Sequence, residues 1–368
     1  MRVAFAILMA LHGLLHLLGA AAAFGWTRVD QLKTPITPAA GVLWLLAAAL
    51  LVAAAFAVVA HARWWWAVAV PGVLLSQSLI MQSWSDARFG TIPNVVILVP
   101  LLLLAVDARP SSFRSRFRAD AHALLARPPH DTSPVREHDL RSLPPLMQAY
   151  LRRAGVVGRP RVHNMRIVFD AQMRNDERSP WMQSTATQYE FMDPPLARLF
   201  YMTASRAGLP FDVFHRYMDG AATFQVRIAS LFPMVDSKGP AMTKAETVTL
   251  MNDIVVLAPA AVLGLPFTWQ ETGDHTLHAT FTNAGYMVAA DLQFDRSGDL
   301  IGFTSDDRME VTSAGTRSAR WSTPLSDFAE VNGTRVPRRG NANWIEADGH
   351  EWTYGRFTLV DIAYNVTQ

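Results

Sequence analysis

The chain has 368 residues and no cysteine, and 50% of its residues are hydrophobic while 17% are charged. Soluble globular proteins carry about 25% charged residues, and here only eight of the 64 charged residues lie in residues 1–108. The composition excludes a disulfide scaffold, a cysteine nucleophile and a cysteine-ligated metal site, and it indicates a membrane segment joined to a soluble one.

Four apolar stretches precede the soluble part, and each is close to the roughly 20 residues that cross a bilayer as a helix. They are residues 3–24, 40–60, 64–81 and 92–106. We therefore predict a four-span transmembrane domain in residues 1–108. An alternative for the first stretch is a cleaved secretory signal, because it starts after Arg2 and ends in a run of alanines.

The distribution of Lys and Arg predicts the orientation of these spans, because cytoplasmic loops are enriched in both. With four spans, Arg2, Arg63 and the arginines of residues 109–118 share one side, and fewer basic residues share the other, namely Arg28, Lys33 and Arg88. We therefore expect the C-terminal domain in the cytoplasm, with the periplasm as the alternative.

Residues 109–144 are predicted to be a basic linker that contains several prolines. Residues 109–161 carry a net charge of +7, whereas residues 162–368 carry −7. The basic charges either attract an anionic leaflet, at about 1 kcal/mol per charge, or serve only as the topology signal. Nucleic acid is not an expected partner, because the acidic domain beyond would repel phosphates.

Residues 145–368 are predicted to be a β-rich α+β domain. Apolar and polar residues alternate in several runs, as in half-buried strands, and Asx-Gly or Ser-Gly pairs separate them, as in hairpins. A helical segment is predicted over 243–264, as one helix or as two divided at Pro259, with Thr243 and Glu246 in a capping-box pattern. The expected form is a curved antiparallel sheet of roughly ten strands with this helix on its concave face.

The order of several motifs resembles that of an uncharacterised bacterial membrane-associated family, known only as a domain of unknown function. The resemblance covers about residues 145–368 and follows, in order, Leu143-Pro144-Pro145, Tyr150-Leu151, Trp181, Phe200-Tyr201-Met202, Asp219-Gly220, Glu246-Thr247, Asn252, Pro259, Trp269, Phe294-Asp295, Gly298, Trp321, Pro337, Trp344 and Tyr354. Some members also begin with a hydrophobic segment that carries a pattern like His12-Gly13 and His16. The resemblance implies no activity. Together with the four predicted spans, the bacterial family leads us to expect a protein of the bacterial inner membrane. The sheet-and-helix pattern is also similar to the half-open barrel of lipoprotein carriers, which hold acyl chains but work in the periplasm.

Chemistry-bearing motifs are sparse. The sequence has no Gly-x-Ser-x-Gly, Walker, Gly-x-Gly-x-x-Gly or His-Glu-x-x-His motif, so we assign no catalytic residue, metal ligand or cofactor. His12 and His16 share one face of the first span, where they either ligate haem or a metal or hydrogen-bond to other spans. His215 and His350 are expected to be surface strand residues.

Aromatic residues are the most informative feature of the soluble domain. They are interpreted either as a sheet-to-helix core or as the wall of an apolar cavity for a lipid or similar hydrophobic small molecule. The predicted ligand-binding residues are Trp181, Tyr201, Tyr217, Glu246, Trp269 and Trp344. The expected function is that of a membrane-anchored protein whose soluble domain binds a hydrophobic ligand. Two alternatives are a membrane-anchored enzyme with Glu246 as acid or base, and a scaffold that binds protein partners, whose identity the sequence leaves open.

Overall fold

The computed structural model describes residues 2–27, 29, 33–206, 208–312 and 315–367, and it leaves the side chains of 311, 312, 315 and 316 undescribed. Arg28, one of the residues used to predict the orientation, lies outside these ranges. Contacts within the chain divide it into two compact units, Met1–Ala108 and Arg109–Gln368.

The first unit is helical. Its helices are α1 (Arg2–Ala23), α2 (Pro38–Val59), α3 (Trp65–Gln82), the single turn α4 (Trp84–Ala87) and α5 (Thr91–Asp107), with a 3-10 turn at Arg88–Gly90 between the last two. Four segments of the described chain are long and apolar enough to cross a membrane, and they match the four predicted stretches. Membrane association of this unit rests on that length and composition.

Helices α1 and α2 approach closely at Gly19. A Cβ atom at this position would lie 2.4 Å from Cδ2 of Trp44, so only glycine lets the indole pack against the α1 backbone. Small residues at such crossings are typical of helices that associate in membranes, where dispersion contacts replace the hydrophobic effect.

The second unit is built on a large antiparallel sheet. Its strands are β1 (Asn164–Met173), β2 (Met182–Phe191), β3 (Ala197–Arg206), β4 (Leu209–Met218), β5 (Ala221–Ile228), β6 (Phe232–Lys238), β7 (Phe267–Gly273), β8 (Thr276–Asn283), β9 (Tyr286–Phe294), β10 (Leu300–Ser305), β13 (Arg320–Val331), β14 (Thr334–Ile345) and β15 (Glu351–Tyr364), and the separate hairpin β11 (Met309–Thr312) and β12 (Gly315–Ser318) lies outside it.

The predicted fold class, an antiparallel β-rich domain after a helical membrane part, is confirmed. The sheet has 13 strands in the order β6-β5-β4-β3-β2-β1-β15-β14-β13-β10-β9-β8-β7 and is not closed into a barrel. The sheet has more strands than the roughly ten predicted. One reason is that strands such as β6 are mostly exposed and lack the alternation of apolar and polar residues on which the prediction was based. The predicted Asp219-Gly220 and Asn332-Gly333 hairpins are present, with positive φ at all four residues as type I′ turns require.

Helix α8 (Pro240–Leu257) follows the edge strand β6, and a 3-10 segment (Pro259–Gly264) leads to the other edge strand, β7. Residues on all sides of α8 are buried, so it is a core helix rather than a surface one.

The capping-box prediction is wrong. The helix begins one turn earlier, at Pro240 after Gly239, so Thr243 and Glu246 lie inside it.

Helix α6 (Phe113–Leu125) covers part of the opposite face of the sheet. Its Phe113, Phe117, Ala121 and Leu124 are buried, and they form a second apolar cluster with residues of β2, β3 and β4. The short helix α7 (Pro145–Arg153) instead joins the main core through Met147, Tyr150 and Leu151. The basic segment 109–144 thus contains a packed helix before its proline-containing stretch.

Candidate functional site

A cluster of buried charged side chains lies between the sheet and helix α8. Glu190 of β2 and Arg198 of β3 face Glu246 and Asp253 of α8, and Arg308 joins them from the residues just before β11. The side chains of Glu190, Arg198 and Glu246 are 0%, 7% and 2% exposed. Such burial is tolerated only where charges are paired and hydrogen-bonded.

Arg198 is the centre of this cluster. Its Nε lies 2.8 Å from Oδ2 of Asp253 and 3.3 Å from Oε1 of Glu190. Its Nη1 donates to Oε2 of Glu246 at 3.3 Å, and its Nη2 donates to Oε1 of Gln188 at 3.1 Å. Guanidinium suits this position because its planar fork offers several donors at once.

Glu246 is an ion-paired carboxylate rather than a cap. Its Oε1 accepts from Nη1 of Arg308 at 3.1 Å, and its Oε2 lies 3.2 Å from Nδ1 of His215. Burial raises its pKa, but His215 and Arg308, together with Arg198, outweigh burial and hold the pKa of Glu246 far below its usual range. A carboxylate that stays ionised in this way is a poor general acid near neutral pH. His215 is a strand residue, as predicted, but it is half-buried rather than on the surface, because its imidazole packs between Phe200 and Phe224.

Glu190 has the opposite electrostatic behaviour. Burial raises its pKa well above the usual range, the neighbouring Asp253 raises it further, and Arg198 only partly offsets both effects. The cluster holds three carboxyl groups and two guanidinium groups. A proton on Glu190 therefore balances the charge of the cluster. The cluster attaches α8 to strands β2 and β3.

The predicted ligand-binding aromatics are dispersed over the domain. Tyr217 and Trp344 are 1% and 7% exposed in the main core, where Tyr217 OH contacts Thr247 and accepts from Asn283. Trp269 is half-buried at edge strand β7 and stacks on Phe267. Trp181 is half-buried and lies beneath the guanidinium of Arg356 and that of Arg174, at 4.2 and 4.6 Å from its ring centre.

Tyr201 occupies a different place, on the face covered by helix α6. There it lines a cavity of about 540 Å³ between α6 and strands β2 and β3. Its hydroxyl donates to Oδ1 of Asp212 at 3.0 Å, and its ring lies 5.6 Å from that of Phe117. The residues that line the cavity are Arg114, Phe117, Arg118, Ala121, His122, Leu125, Thr185, Thr187, Tyr189, Tyr201, Thr203 and Thr367.

The cavity has an apolar floor and a basic edge. Phe117, Ala121 and Leu125 are four residues apart on α6 and form the floor with Tyr189 and Tyr201. Arg114, Arg118 and His122 have the same spacing and form a basic stripe. Threonine hydroxyls line the opposite wall, where Thr185 and Thr203 contact each other at 3.2 Å. None of the twelve described lining residues is acidic.

The other edge of α6 is tied to the sheet. Asp120 accepts from Arg216 of β4 at 2.8 Å, and Arg116 donates to Gln225 of β5 at 3.3 Å. Helix α6 is thus fixed along one edge and borders the cavity along the other. The signal for this helix was available in the sequence, because Phe113, Phe117, Ala121 and Leu124 repeat at helical spacing.

A separate polar cluster lies inside the helical unit. His12 Nε2 lies 2.8 Å from Oδ1 of Asn94, and His16 Nε2 lies 2.8 Å from Oγ of Ser76. His16 Nδ1 contacts the carbonyl oxygen of His12. These contacts match the hydrogen-bonding interpretation of the two histidines. Among the described residues, no group of three or more metal-ligating side chains is present.

Three solved structures show low similarity to the chain. An outer membrane lipoprotein-sorting protein domain from Vibrio parahaemolyticus is 8% identical (TM-score 0.30, 55% of this chain, 85% of that one). A DUF1329 family protein from Desulfovibrio piger is 9% identical (TM-score 0.35, 61% and 93%). A β-barrel-like DUF1849 protein from Brucella abortus is 12% identical (TM-score 0.15, 55% and 98%).

No curated protein matches the sequence. A match to a family of unknown function, DUF6544, extends over residues 133–357. This range covers more than half of the chain, including all strands of the large sheet except the second half of β15. The chain therefore belongs to the DUF6544 family.

Proposed function

We propose that this protein is a multi-pass protein of the bacterial inner membrane whose C-terminal domain binds an amphipathic ligand, a lipid or similar hydrophobic small molecule, beneath helix α6. The observation that carries the proposal is the cavity of about 540 Å³ with an apolar floor and a polar, basic edge. Ligand cavities in proteins are commonly about 300–1,000 Å³, with mostly apolar walls and a few polar groups that orient the ligand.

The opposite face of the sheet supports this choice of site. Helix α8 occupies that face, and its side chains are buried on all sides. Tyr217 and Trp344, which we expected to line a ligand site there, are packed in the core. Of the six predicted ligand-binding residues, Tyr201 lines the cavity, and we propose that its ring contacts the apolar part of the ligand.

The position of α6 in the sequence is consistent with a ligand drawn from a membrane. Phe113, its first residue, is six residues after Asp107, the last residue of the fourth apolar segment. A chain of this length spans about 20 Å at most. We propose, from the Lys and Arg distribution, that the domain is cytoplasmic.

The test is photo-crosslinking of the full chain in proteoliposomes that contain a phospholipid with a photoreactive acyl chain. Thr187 lies on the cavity wall, and Thr187→Trp should fill part of the cavity. We expect wild-type protein to form cross-links within residues 113–125 and 185–203, and Thr187→Trp to lose most of them.

Thr358→Trp is the matched control, because Thr358 is an exposed strand residue outside the described cavity lining. It should retain the cross-links of the wild type, and cross-links in residues 1–108 should be equal in all three proteins. Cross-links confined to residues 1–108 in the wild type would overturn the proposal.

A further inference from the structure

The arrangement of charges in the cavity defines the ligand more closely. We infer that the basic stripe of Arg114, Arg118 and His122 binds the head group of the ligand, a phosphate ester with a net negative charge, while the apolar floor holds its hydrocarbon part. This inference rests on the proposed function, because it assigns chemistry to the same cavity.

The first argument is the separation of chemistry along one helix. Residues 114, 118 and 122 and residues 117, 121 and 125 each repeat every fourth position, so α6 presents a basic row beside an apolar row. An amphipathic molecule with one anionic end can contact both rows at once. A neutral hydrocarbon would use the apolar row alone and leave the arginines without a function in binding.

The second argument is the wall opposite the basic row. Thr185, Thr187 and Thr203 place hydroxyl groups on strands β2 and β3. Hydroxyls donate hydrogen bonds to phosphate oxygens, and arginine binds them in a bidentate, charge-assisted way. Donors on two sides of a cavity suit a group with several acceptor oxygens, as a phosphate has.

The third argument is the composition of the cavity lining. None of the described lining residues is acidic. The basic stripe belongs to residues 109–161, which carry a net charge of +7, whereas the strands that line the rest of the cavity belong to residues 162–368, which carry −7.

The experiment uses the same proteoliposomes, with the photoreactive lipid carrying either a phosphatidylglycerol or a phosphatidylcholine head group. Loss of one basic contact should weaken binding about fivefold, since each charge near the site contributes about 1 kcal/mol. We expect wild-type protein to cross-link the anionic lipid at least about fivefold more than the zwitterionic one within residues 113–125 and 185–203. Arg118→Gln should reduce this preference about fivefold, and Arg118→Lys should reduce it less.

Arg127→Gln is the matched control, because Arg127 is exposed just beyond α6 and outside the described lining. It should leave the preference unchanged. Equal losses in Arg118→Gln and Arg127→Gln would mean general attraction to an anionic surface and would overturn the inference. Equal cross-linking of both lipids by the wild type would also overturn it, while leaving the proposed function in place.

Inorganic phosphate distinguishes a lipid head group from a free anion. We expect about 10 mM phosphate to reduce cross-linking of the anionic lipid only partly, because the apolar floor adds to lipid binding. If ³¹P NMR of the full chain shows phosphate binding that depends on Arg118, while neither lipid cross-links in the domain, the cavity binds a free anion. That result would overturn both the lipid assignment and the proposed function.

Discussion

Arg198 on strand β3 and Asp253 on helix α8 are joined by a hydrogen bond of 2.8 Å between Nε and Oδ2. Helix α8 lies in the segment that connects edge strand β6 to edge strand β7. The chain therefore attaches it covalently to the sheet at the two edges alone. The pair restrains the middle of the helix against strand β3. Because Arg198 also contacts Glu246 and Glu190, substitutions at these two acids should report on how the helix is held.

Glu246→Gln should strongly destabilise the domain. The substitution removes the negative charge that Arg308, Arg198 and His215 surround at 3.1–3.3 Å. Breaking a buried pair in this way typically costs about 3–5 kcal/mol. The measurement is thermal unfolding of the full chain, with Glu330→Gln as control because Glu330 is 72% exposed and lies 3.9 Å from Arg159. Equal melting temperatures for the two variants would contradict the paired role of Glu246.

Glu190→Gln should stabilise the domain, and it should do so only at higher pH. Because the folded-state pKa is raised above the unfolded one, the stabilising contribution of Glu190 is complete below the unfolded pKa of about 4.3 and is lost as pH rises through the folded pKa. Glutamine stays neutral and can still donate to Asp253. We expect the variant to gain about 1–3 kcal/mol over wild type at pH 8 and little at pH 4. A variant that is less stable than wild type at pH 8 would contradict this assignment.

Asp299 should control part of the acid stability of the domain. Arg335 Nε and Nη2 each lie 2.8 Å from its oxygens, and Arg153 of α7 lies 3.2 Å away. The hydrogen bonds from Arg335, and then those from Arg153, lower the pKa of Asp299 despite its burial. This stabilisation is present above the unfolded pKa of about 3.9 and is lost as pH falls through the lower folded pKa.

We therefore expect Asp299→Asn to cost about 2 kcal/mol at pH 7 and progressively less below pH 4. Unfolding midpoints between pH 2.5 and 7 would show this convergence. Asp327→Asn is the control, because Asp327 is 51% exposed and 3.6 Å from Arg339 and should show little effect at any pH. A constant difference between Asp299→Asn and wild type across this range would disprove the linkage.

The soluble domain should need helix α6 to remain soluble. A fragment of residues 145–368 lacks Phe113 and Phe117, which pack on Leu199, Tyr201 and Phe214. Burial of one such aromatic side chain contributes about 1.5–3 kcal/mol, and an exposed patch of this kind favours aggregation. We expect the fragment of residues 109–368 to melt higher and to stay monomeric at concentrations at which 145–368 aggregates. If the two fragments behaved equally in size-exclusion chromatography and thermal melts, α6 would contribute little to the stability and solubility of the domain.

The sequence was informative wherever one physical pattern determines the structure. Length and hydropathy identified the four apolar helices, and Asp219-Gly220 and Asn332-Gly333 identified hairpins because their turns require positive φ. At Glu246 the sequence pattern led to a wrong prediction. Thr243 and Glu246 have capping-box spacing, yet Gly239 and Pro240 start the helix a turn earlier. Burial of Glu246 depends on Arg308, which is 62 residues away, and no local pattern reports such a pairing.

The cavity illustrates the same limit. Arg118 and Thr203 are 85 positions apart in sequence and come together only because α6 packs across β2 and β3. The periodicity of α6 itself was readable, but the face of the sheet that it covers was not. The predicted aromatics were therefore assigned to one ligand site, whereas the structure distributes Tyr201 and Tyr217 to opposite faces.

The strand order has a consequence for biosynthesis. Strand β1 pairs on one side with β2 and on the other with β15, so that Met165 lies opposite Tyr364. Strands β1–β6 can form hairpins as they leave the ribosome, but one edge of β1 stays unpaired until translation has reached residue 364. An open strand edge of this kind can recruit other chains. The nascent domain should therefore depend on holdase chaperones during that interval.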